Sequence, residues 1–225
     1  MRIFPATFFM RPPRDIAEPR KEKNMISRFR TSLAAACVMA CTPAMASVNM
    51  EGVALDESVL VAGQNLKLNG AGISFRLIFK VYAMGLYLLD RKATVQDVLA
   101  TDGPRRLVIT MLRDVSGEDF NEAILSFVSN EAGDMQAKSI GHVLLLGKAI
   151  ASQPKGLRKG DTLTMDWVPG TGTVIELNKK PLAEPMRDIT FYNALLNIWL
   201  GDKPADPALK TKLLGRPPQV RTAIN

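Results

Sequence analysis

The first long hydrophobic segment of the chain has the composition of β-strands. β-Branched and aromatic residues are dense in three runs, 59–61, 66–68 and 73–89. Glycines interrupt this segment and predict turns between antiparallel strands, at Gly63, Gly70 and Gly72. Both faces of the strand predicted at 79–88 are largely apolar, which is typical of a central strand that is covered on both sides.

Three more strands are predicted further along the chain. Residues 105–115 form one strand-like segment, and residues 162–168 and 173–177 form a pair. The sequence Pro-Gly-Thr-Gly at 169–172 separates this pair and predicts a hairpin.

Helical periodicity alternates with these strands. Five helices are predicted: 94–100 capped by Thr94, one capped by Ser116 and ending near Gly133, 135–152, one running from Asp188 to Gly201, and 207–214. The order of strands, helices, a hairpin and again helices differs from a regular strand–helix alternation. We therefore expect an α+β fold, in which helices pack on one face of a mostly antiparallel sheet.

The segment before residue 47 has the three parts of a secretory signal peptide. Arg28 and Arg30 provide a positive region, residues 33–40 a short apolar core, and Ala44-Met45-Ala46 a small-x-small cleavage site. The apolar core is shorter than the ~20 residues that a membrane-spanning helix needs. The sequence predicts cleavage after Ala46 and a periplasmic protein without a membrane span.

The N-terminal boundaries follow from this interpretation. A start at Met25 would place the basic region at the N-terminus, so that residues 1–24 are an upstream extension that precedes the real start and 25–46 the signal peptide. A lipidation box ending at Cys41 is the alternative, although Met39 fits such a box poorly. Residues 47–216 are expected to form one domain, followed by a polar tail at 217–225.

Removal of the leader changes the charge and the cysteine content. Residues 1–46 hold eight of the 29 basic and three of the 22 acidic residues, so the remainder has 21 and 19, a net charge of +2. This balance leaves no basic face for a nucleic acid. Cys37 and Cys41 both lie in the leader, so a mature domain would have no disulfide.

Residue types that usually carry catalysis or metals are scarce. His142 is the single histidine, it lies in an apolar helical pattern, and it is expected to be a helix-surface or partly buried residue. Neither a zinc site nor a histidine-based triad is expected, and no cofactor is predicted. The segments Gly70-Ala71-Gly72 and Gly170-Thr171-Gly172 lack the rest of a nucleotide-binding loop and are predicted to be turns.

Several separated motifs resemble the chalcone isomerase superfamily, and most closely its bacterial chalcone isomerase-like members, which also carry signal peptides. The motifs span about residues 51–216 and are 69–73, 79–88, 112–115, 159–161, 169–173, 197–201 and 213–215. The resemblance implies an open-faced β-sandwich, with a large antiparallel sheet under a layer of helices. It also implies a cleft between sheet and helices that holds a flavonoid or a fatty acid.

The resemblance also locates candidate site residues. Ser74 stands where the plant enzymes have the arginine that stabilises the reacting oxyanion, and Arg76 follows two residues later, on the same face of a regular strand. Tyr82, Phe120, Phe127 and Tyr192 replace a threonine, a tyrosine, an asparagine and a serine or threonine of the plant site. These exchanges remove polar anchors and suit a hydrocarbon better than a polyphenol.

Three functions remain open at this point. The first is a non-catalytic binding protein for a fatty acid or similar amphiphile, in which Arg76 or Arg113 holds the carboxylate and aromatic residues line the tail, namely Phe79, Tyr82, Phe120, Phe127 and Tyr192. The second is an isomerase, an intramolecular lyase that acts on an enone-like substrate. The third is an envelope interaction module without a ligand, with Trp167 and Trp199 on a surface for a protein partner.

Overall fold

A computed structural model describes residues 47–131 and 136–215. Two short strands, β1 (Ser47–Met50) and β2 (Val53–Asp56), pair as an antiparallel hairpin. Seven further strands form an antiparallel sheet in chain order: β3 (Ser58–Val61), β4 (Gln64–Arg76), β5 (Phe79–Leu88), β6 (Arg105–Met111), β7 (Thr162–Val168), β8 (Gly172–Leu177) and β9 (Lys180–Pro181). The antiparallel sheet was predicted, although β4 is one continuous strand across two of the predicted turns, and the short β9 is an addition.

Helices lie between and after the strands: α1 (Val95–Leu99), α2 (Gly117–Glu131), α3 (Ala137–Ala151), α4 (Ile189–Leu200) and α5 (Pro207–Leu213). Thr94 and Asp188 accept hydrogen bonds from backbone N–H groups at the starts of α1 and α4, which confirms the predicted caps. Ser116 likewise accepts from the N–H of Asp119 at 3.0 Å, as predicted for α2. Within the described ranges, no helix is long and apolar enough to cross a membrane.

The sheet buries residues on both of its faces. The larger core lies between the sheet and the helices and includes Met84, Leu86 and Leu88 of β5. A smaller cluster contains Tyr87 together with Val61, Leu66 and Leu68. Neighbouring residues of β5 therefore enter different cores, which confirms that this strand is covered on both sides. The observed architecture is the predicted α+β fold.

Gly70 and Gly72 contradict the prediction of turns, because both lie inside β4. A Cβ atom at Gly70 would lie 2.5 Å from the carbonyl oxygen of Leu213, and one at Gly72 would lie 2.7 Å from Cδ1 of Leu209. These glycines let α5 approach the strand closely. From the sequence alone, a glycine with this role inside a strand cannot be distinguished from a glycine in a turn. The chain reverses instead at Leu77 and Ile78.

Asn69 stabilises the same contact between β4 and α5. Its side-chain amide donates to the carbonyl oxygen of Leu213 at 2.7 Å and to that of Lys92 at 3.0 Å, while its Oδ1 accepts from the Lys92 N–H at 2.6 Å. Asn69 is only 5% exposed, so these bonds satisfy a polar group that would otherwise be costly to bury. The predicted leader (1–46) and the predicted tail (217–225) lie outside the described residues.

Candidate functional site

A cavity of about 760 Å³ lies between one end of the seven-stranded sheet and helices α2, α3 and α4. Its inner wall is apolar and is built from the sheet, these three helices and the segment between α3 and β7. The buried lining residues are Ile109, Met111, Ile124, Leu146, Leu157, Leu163, Met165, Leu195 and Ile198. The volume and the apolar lining are those of a small-molecule binding pocket.

A small cluster of polar side chains lies where β5 meets the end of α4. The Trp199 indole Nε1 donates to the hydroxyl of Tyr82 at 2.8 Å, and Ser74, 6% exposed, lies opposite Tyr82 in the register of β4 and β5. Burial raises the pKa of Tyr82 above its usual value, and hydrogen bonding to Ser74 and Trp199 offsets this only in part. The phenol is thus neutral at ordinary pH and is not a general base.

Two arginines lie beside an exposed phenylalanine at the cavity mouth. The guanidinium carbon of Arg113 lies 5.2 Å from the centroid of the Phe79 ring, a cation–π contact. Arg76 lies opposite Phe79 in the register of the β4–β5 hairpin. Both arginines line the cavity and are exposed, so the positive charge is at the mouth and not inside.

Three carboxylates line the same cavity, those of Asp114, Asp119 and Glu122. Asp114 pairs with Arg158 at 3.3 Å, and Asp119 accepts from the hydroxyl of Ser116 at 2.7 Å. For the residues that the structure describes, Arg76 and Arg113 form no ion pair. An anionic group at the mouth would therefore meet two guanidinium groups that no ion pair with a described carboxylate occupies.

Six of the seven residues predicted for the site line this one cavity: Ser74, Arg76, Tyr82, Arg113, Phe120 and Phe127. Phe79, predicted to contact the ligand tail, lines it as well. Ser74 and Arg76 both line the cavity, as expected for residues two apart on a strand. Phe75 between them lines it too, and a bulge between Ser74 and Phe75 interrupts the alternation of β4 there.

Tyr192 is the exception among the predicted residues, and it does not line the cavity. It is fully buried, its hydroxyl donates to the carbonyl oxygen of Met165 at 3.4 Å, and the guanidinium carbon of Arg105 lies 5.3 Å from its ring centroid. The first turns of α4 lie over this part of the sheet, and only the later residues Leu195, Ile198 and Trp199 reach the cavity. Tyr192, predicted to contact the ligand tail, is thus packed in the core beside the cavity and not in its wall.

The structure also places residues that sequence reasoning missed or interpreted differently. Trp199, considered for a partner surface, is 7% exposed and lines the cavity. Leu77, at the mouth, was not predicted, since it lies in a strand-rich run with no glycine, asparagine or proline to mark a turn. His142 is partly buried, as expected, with its ring 5.2 Å from that of Phe191.

The chain is similar to known proteins both in sequence and in fold. The chain belongs to the chalcone isomerase-like family, whose sequence model matches residues 47–215. A solved structure of the same architecture is the fatty-acid binding protein of Arabidopsis thaliana. It is 13% identical, with a TM-score of 0.56 over 75% of this chain and 96% of the plant protein. A search of curated protein sequences found no match.

Proposed function

We propose that this protein binds a fatty acid or a similar apolar carboxylate in the cavity and performs no chemistry on it. The observation that carries the proposal is an apolar cavity of about 760 Å³ with arginines at its mouth that pair with no described carboxylate. Burial of the tail supplies the free energy of binding, and the cations select a charged headgroup. The architecture shared with a plant fatty-acid binding protein supports the same ligand class.

The interior of the cavity supports binding without turnover. Catalysis of enone isomerisation needs a donor aimed at developing negative charge. Ser74, a neutral hydroxyl, occupies the position of the plant arginine, and the arginines Arg76 and Arg113 lie at the mouth and not in the interior. Phe120 and Phe127 add only hydrocarbon to the wall, so the site is built to exclude water.

The carboxylate is assigned to Arg113 and Arg76 together. The stacking of Arg113 on Phe79 orders the guanidinium at the mouth, and Arg76 flanks the same ring through the hairpin register. A charge-assisted hydrogen bond from either arginine contributes about 1.5–3 kcal/mol, which corresponds to roughly a ten- to hundredfold change in affinity.

The test is a titration of the purified chain with cis-parinaric acid, a fluorescent fatty acid, in lipid-free buffer. We expect saturable binding that oleic acid displaces and that the matching alcohol displaces less well. The double variant Arg76→Ala/Arg113→Ala should weaken binding about tenfold or more. Arg91→Ala removes an exposed arginine away from the cavity and should bind as the parent does.

Two results would overturn the proposal. The first is a parent protein that does not bind the fatty acid, and the second is equal affinity for the acid and its alcohol in both the parent and the double variant. Measurable conversion of a chalcone by the purified protein would contradict the non-catalytic part alone. An isomerase activity would then replace ligand binding as the proposed function.

The same proposal includes export to the periplasm. It is supported by the basic, apolar and small-residue segments that precede Ser47, where the family match begins. Intact mass measurement on protein recovered from a periplasmic extract should give a chain that starts at Ser47. Recovery of the uncleaved chain from the cytosolic fraction would contradict it.

A further inference from the structure

The turn between β4 and β5 exposes the most apolar surface of the described chain. Leu77 is 90% exposed and Ile78 84%, and the phenylalanines on either side, Phe75 and Phe79, are 46% and 53% exposed. We call these four residues the apolar tip. Together they form a contiguous patch, which scattered surface leucines do not.

The backbone of the tip is strained as well as exposed. Two-residue hairpin turns favour glycine, asparagine or aspartate, because these tolerate positive φ. Leu77 instead has φ +57°, a conformation that costs roughly 1–2 kcal/mol for a residue with a Cβ. The turn thus carries large aliphatic side chains at a conformational cost and exposes them to water, and neither is offset by packing inside the protein.

Two arginines adjoin the tip: Arg76 lies between Phe75 and Leu77 in the chain, and Arg113 stacks on Phe79. Lys203 lines the cavity as well, as do the carboxylates of Asp114, Asp119 and Glu122. In residues 47–131 and 136–215 these three cations form no ion pair, whereas Lys80 is neutralised by Glu51 at 2.8 Å. The surface that would cover this patch must therefore offer hydrocarbon at its centre and negative charge around it.

The nearest carboxylate is occupied by its own turn. Asp206 accepts a hydrogen bond from the backbone N–H of Phe75 at 3.2 Å, and it also accepts from the N–H groups of Ala208 and Leu209 at the start of α5. These bonds tie the base of the tip to α5, so that the tip projects from a fixed support. The carboxylate keeps its negative charge, and these bonds hold it at the base of the tip.

We propose that the apolar tip is a membrane-docking element that inserts into the interface of a bilayer containing anionic lipids. Leu77 and Ile78 enter the acyl boundary, and Arg76 and Arg113 lie at the level of the lipid phosphates. Because Phe75, Leu77 and Phe79 also line the cavity, docking brings its mouth against the lipid. An apolar ligand then passes between bilayer and cavity without crossing water.

Vesicle sedimentation tests this proposal with the full purified chain. The parent should bind vesicles of phosphatidylcholine with phosphatidylglycerol more tightly than vesicles of phosphatidylcholine alone, and added salt should weaken the binding. Leu77→Gly/Ile78→Ser should lower the partition coefficient by about tenfold or more, since two exposed aliphatic side chains are lost. Leu145→Ser removes a leucine that is 60% exposed on another surface and is the matched control.

The tip variant separates docking from folding. Glycine adopts the positive φ at position 77 without strain. The thermal unfolding midpoint of Leu77→Gly/Ile78→Ser should therefore equal or exceed that of the parent. Residues 1–46 are identical in all variants, so any contribution that they make to vesicle binding cancels in the comparison. A second measurement uses Ile78→Trp, whose emission should shift to shorter wavelength with anionic vesicles.

The outcomes are distinct from those of the fatty-acid titration. Equal vesicle binding by the parent, the tip variant and the control would overturn docking, and so would lipid-free self-association that the tip variant abolishes, because a second copy would then cover the tip. Vesicle binding that depends on the tip would support docking even if no fatty acid binds in solution. In that case only the proposed function would fail.

Discussion

The indole N–H of Trp199 donates to the hydroxyl of Tyr82 across 2.8 Å, and this bond joins the end of α4 to β5 at the cavity wall. Trp199 is 7% exposed, and Tyr82 is partly buried beside it. The pair therefore satisfies two polar groups in a region that is otherwise apolar. It also fixes two aromatic side chains in the wall of the cavity.

Removal of the hydroxyl should destabilise the fold. Tyr82→Phe leaves the Trp199 N–H without its acceptor, and we expect the free energy of unfolding to fall by about 1–3 kcal/mol in urea titrations. Tyr192→Phe is the control, because its hydroxyl bond to Met165 is long, at 3.4 Å, and should contribute less. Equal losses in both variants would contradict this ranking.

Tryptophan emission should report the occupancy of the cavity. The chain has two tryptophans: Trp199 lines the cavity, while Trp167 does not and lies with its ring 6.3 Å from that of Tyr192. Addition of oleic acid should therefore change the emission of the Trp167→Phe variant, in which only Trp199 emits. The Trp199→Phe variant should respond weakly. A response carried by Trp167 would place the ligand elsewhere.

Stability should fall at alkaline pH, because all three tyrosines are buried or partly buried. Burial, together with the Asp56 carboxylate, raises the pKa of Tyr87 from 10.0 to about 12, and burial also raises the pKa of Tyr82 and Tyr192. The unfolded chain loses these protons near pH 10, while the native chain retains them. The tyrosine contribution to stability is thus complete below about pH 10 and is lost as the pH rises through 12.

Urea unfolding at a series of alkaline pH values measures this loss. Tyr87→Phe should reduce the slope of stability against pH above about pH 10, because one titrating group has been removed. Tyrosinate absorbance of the native protein should likewise develop at higher pH than that of the urea-unfolded chain. Identical titration curves for the native and unfolded chains would contradict the burial of these phenols.

Local signals explain which parts of the fold were predictable. Thr94, Ser116 and Asp188 mark helix starts, because a side-chain oxygen that accepts from a free N–H acts within one turn of the chain. The cavity residues Arg76, Tyr82 and Arg113 were reached through a family resemblance, since three separate strand ends meet only in the folded sheet.

Long-range contacts explain the errors. Gly70 looks like a turn until the carbonyl of Leu213, more than a hundred residues later, is known to lie against it. Tyr192 looks like a cavity residue until the path of α4 over Arg105 is known. Leu77 lies at a turn but is not a residue type that marks turns, since a leucine seldom adopts positive φ. In our proposal its side chain is kept there for a contact outside the protein.

The contact between β4 and α5 gives the sharpest test of the fold. In Gly70→Ala the new methyl group would overlap the carbonyl oxygens of Lys212 and Leu213, which are backbone atoms that cannot turn aside. We expect the free energy of unfolding to fall by about 3 kcal/mol or more, the upper range for overpacking, because α5 must separate from the strand and the Asn69 bonds must stretch.

A second glycine provides the matched control. Gly141 lies in α3, and a methyl group added there would have no neighbouring atom within 4 Å, so Gly141→Ala should leave stability unchanged or raise it by about 0.5–1 kcal/mol through helix propensity. The urea unfolding midpoints of the two variants, compared with that of the parent, test both expectations. If Gly70→Ala were as stable as Gly141→Ala, α5 would not lie against β4, and the fixed support that the apolar tip receives through Asp206 would be lost with it.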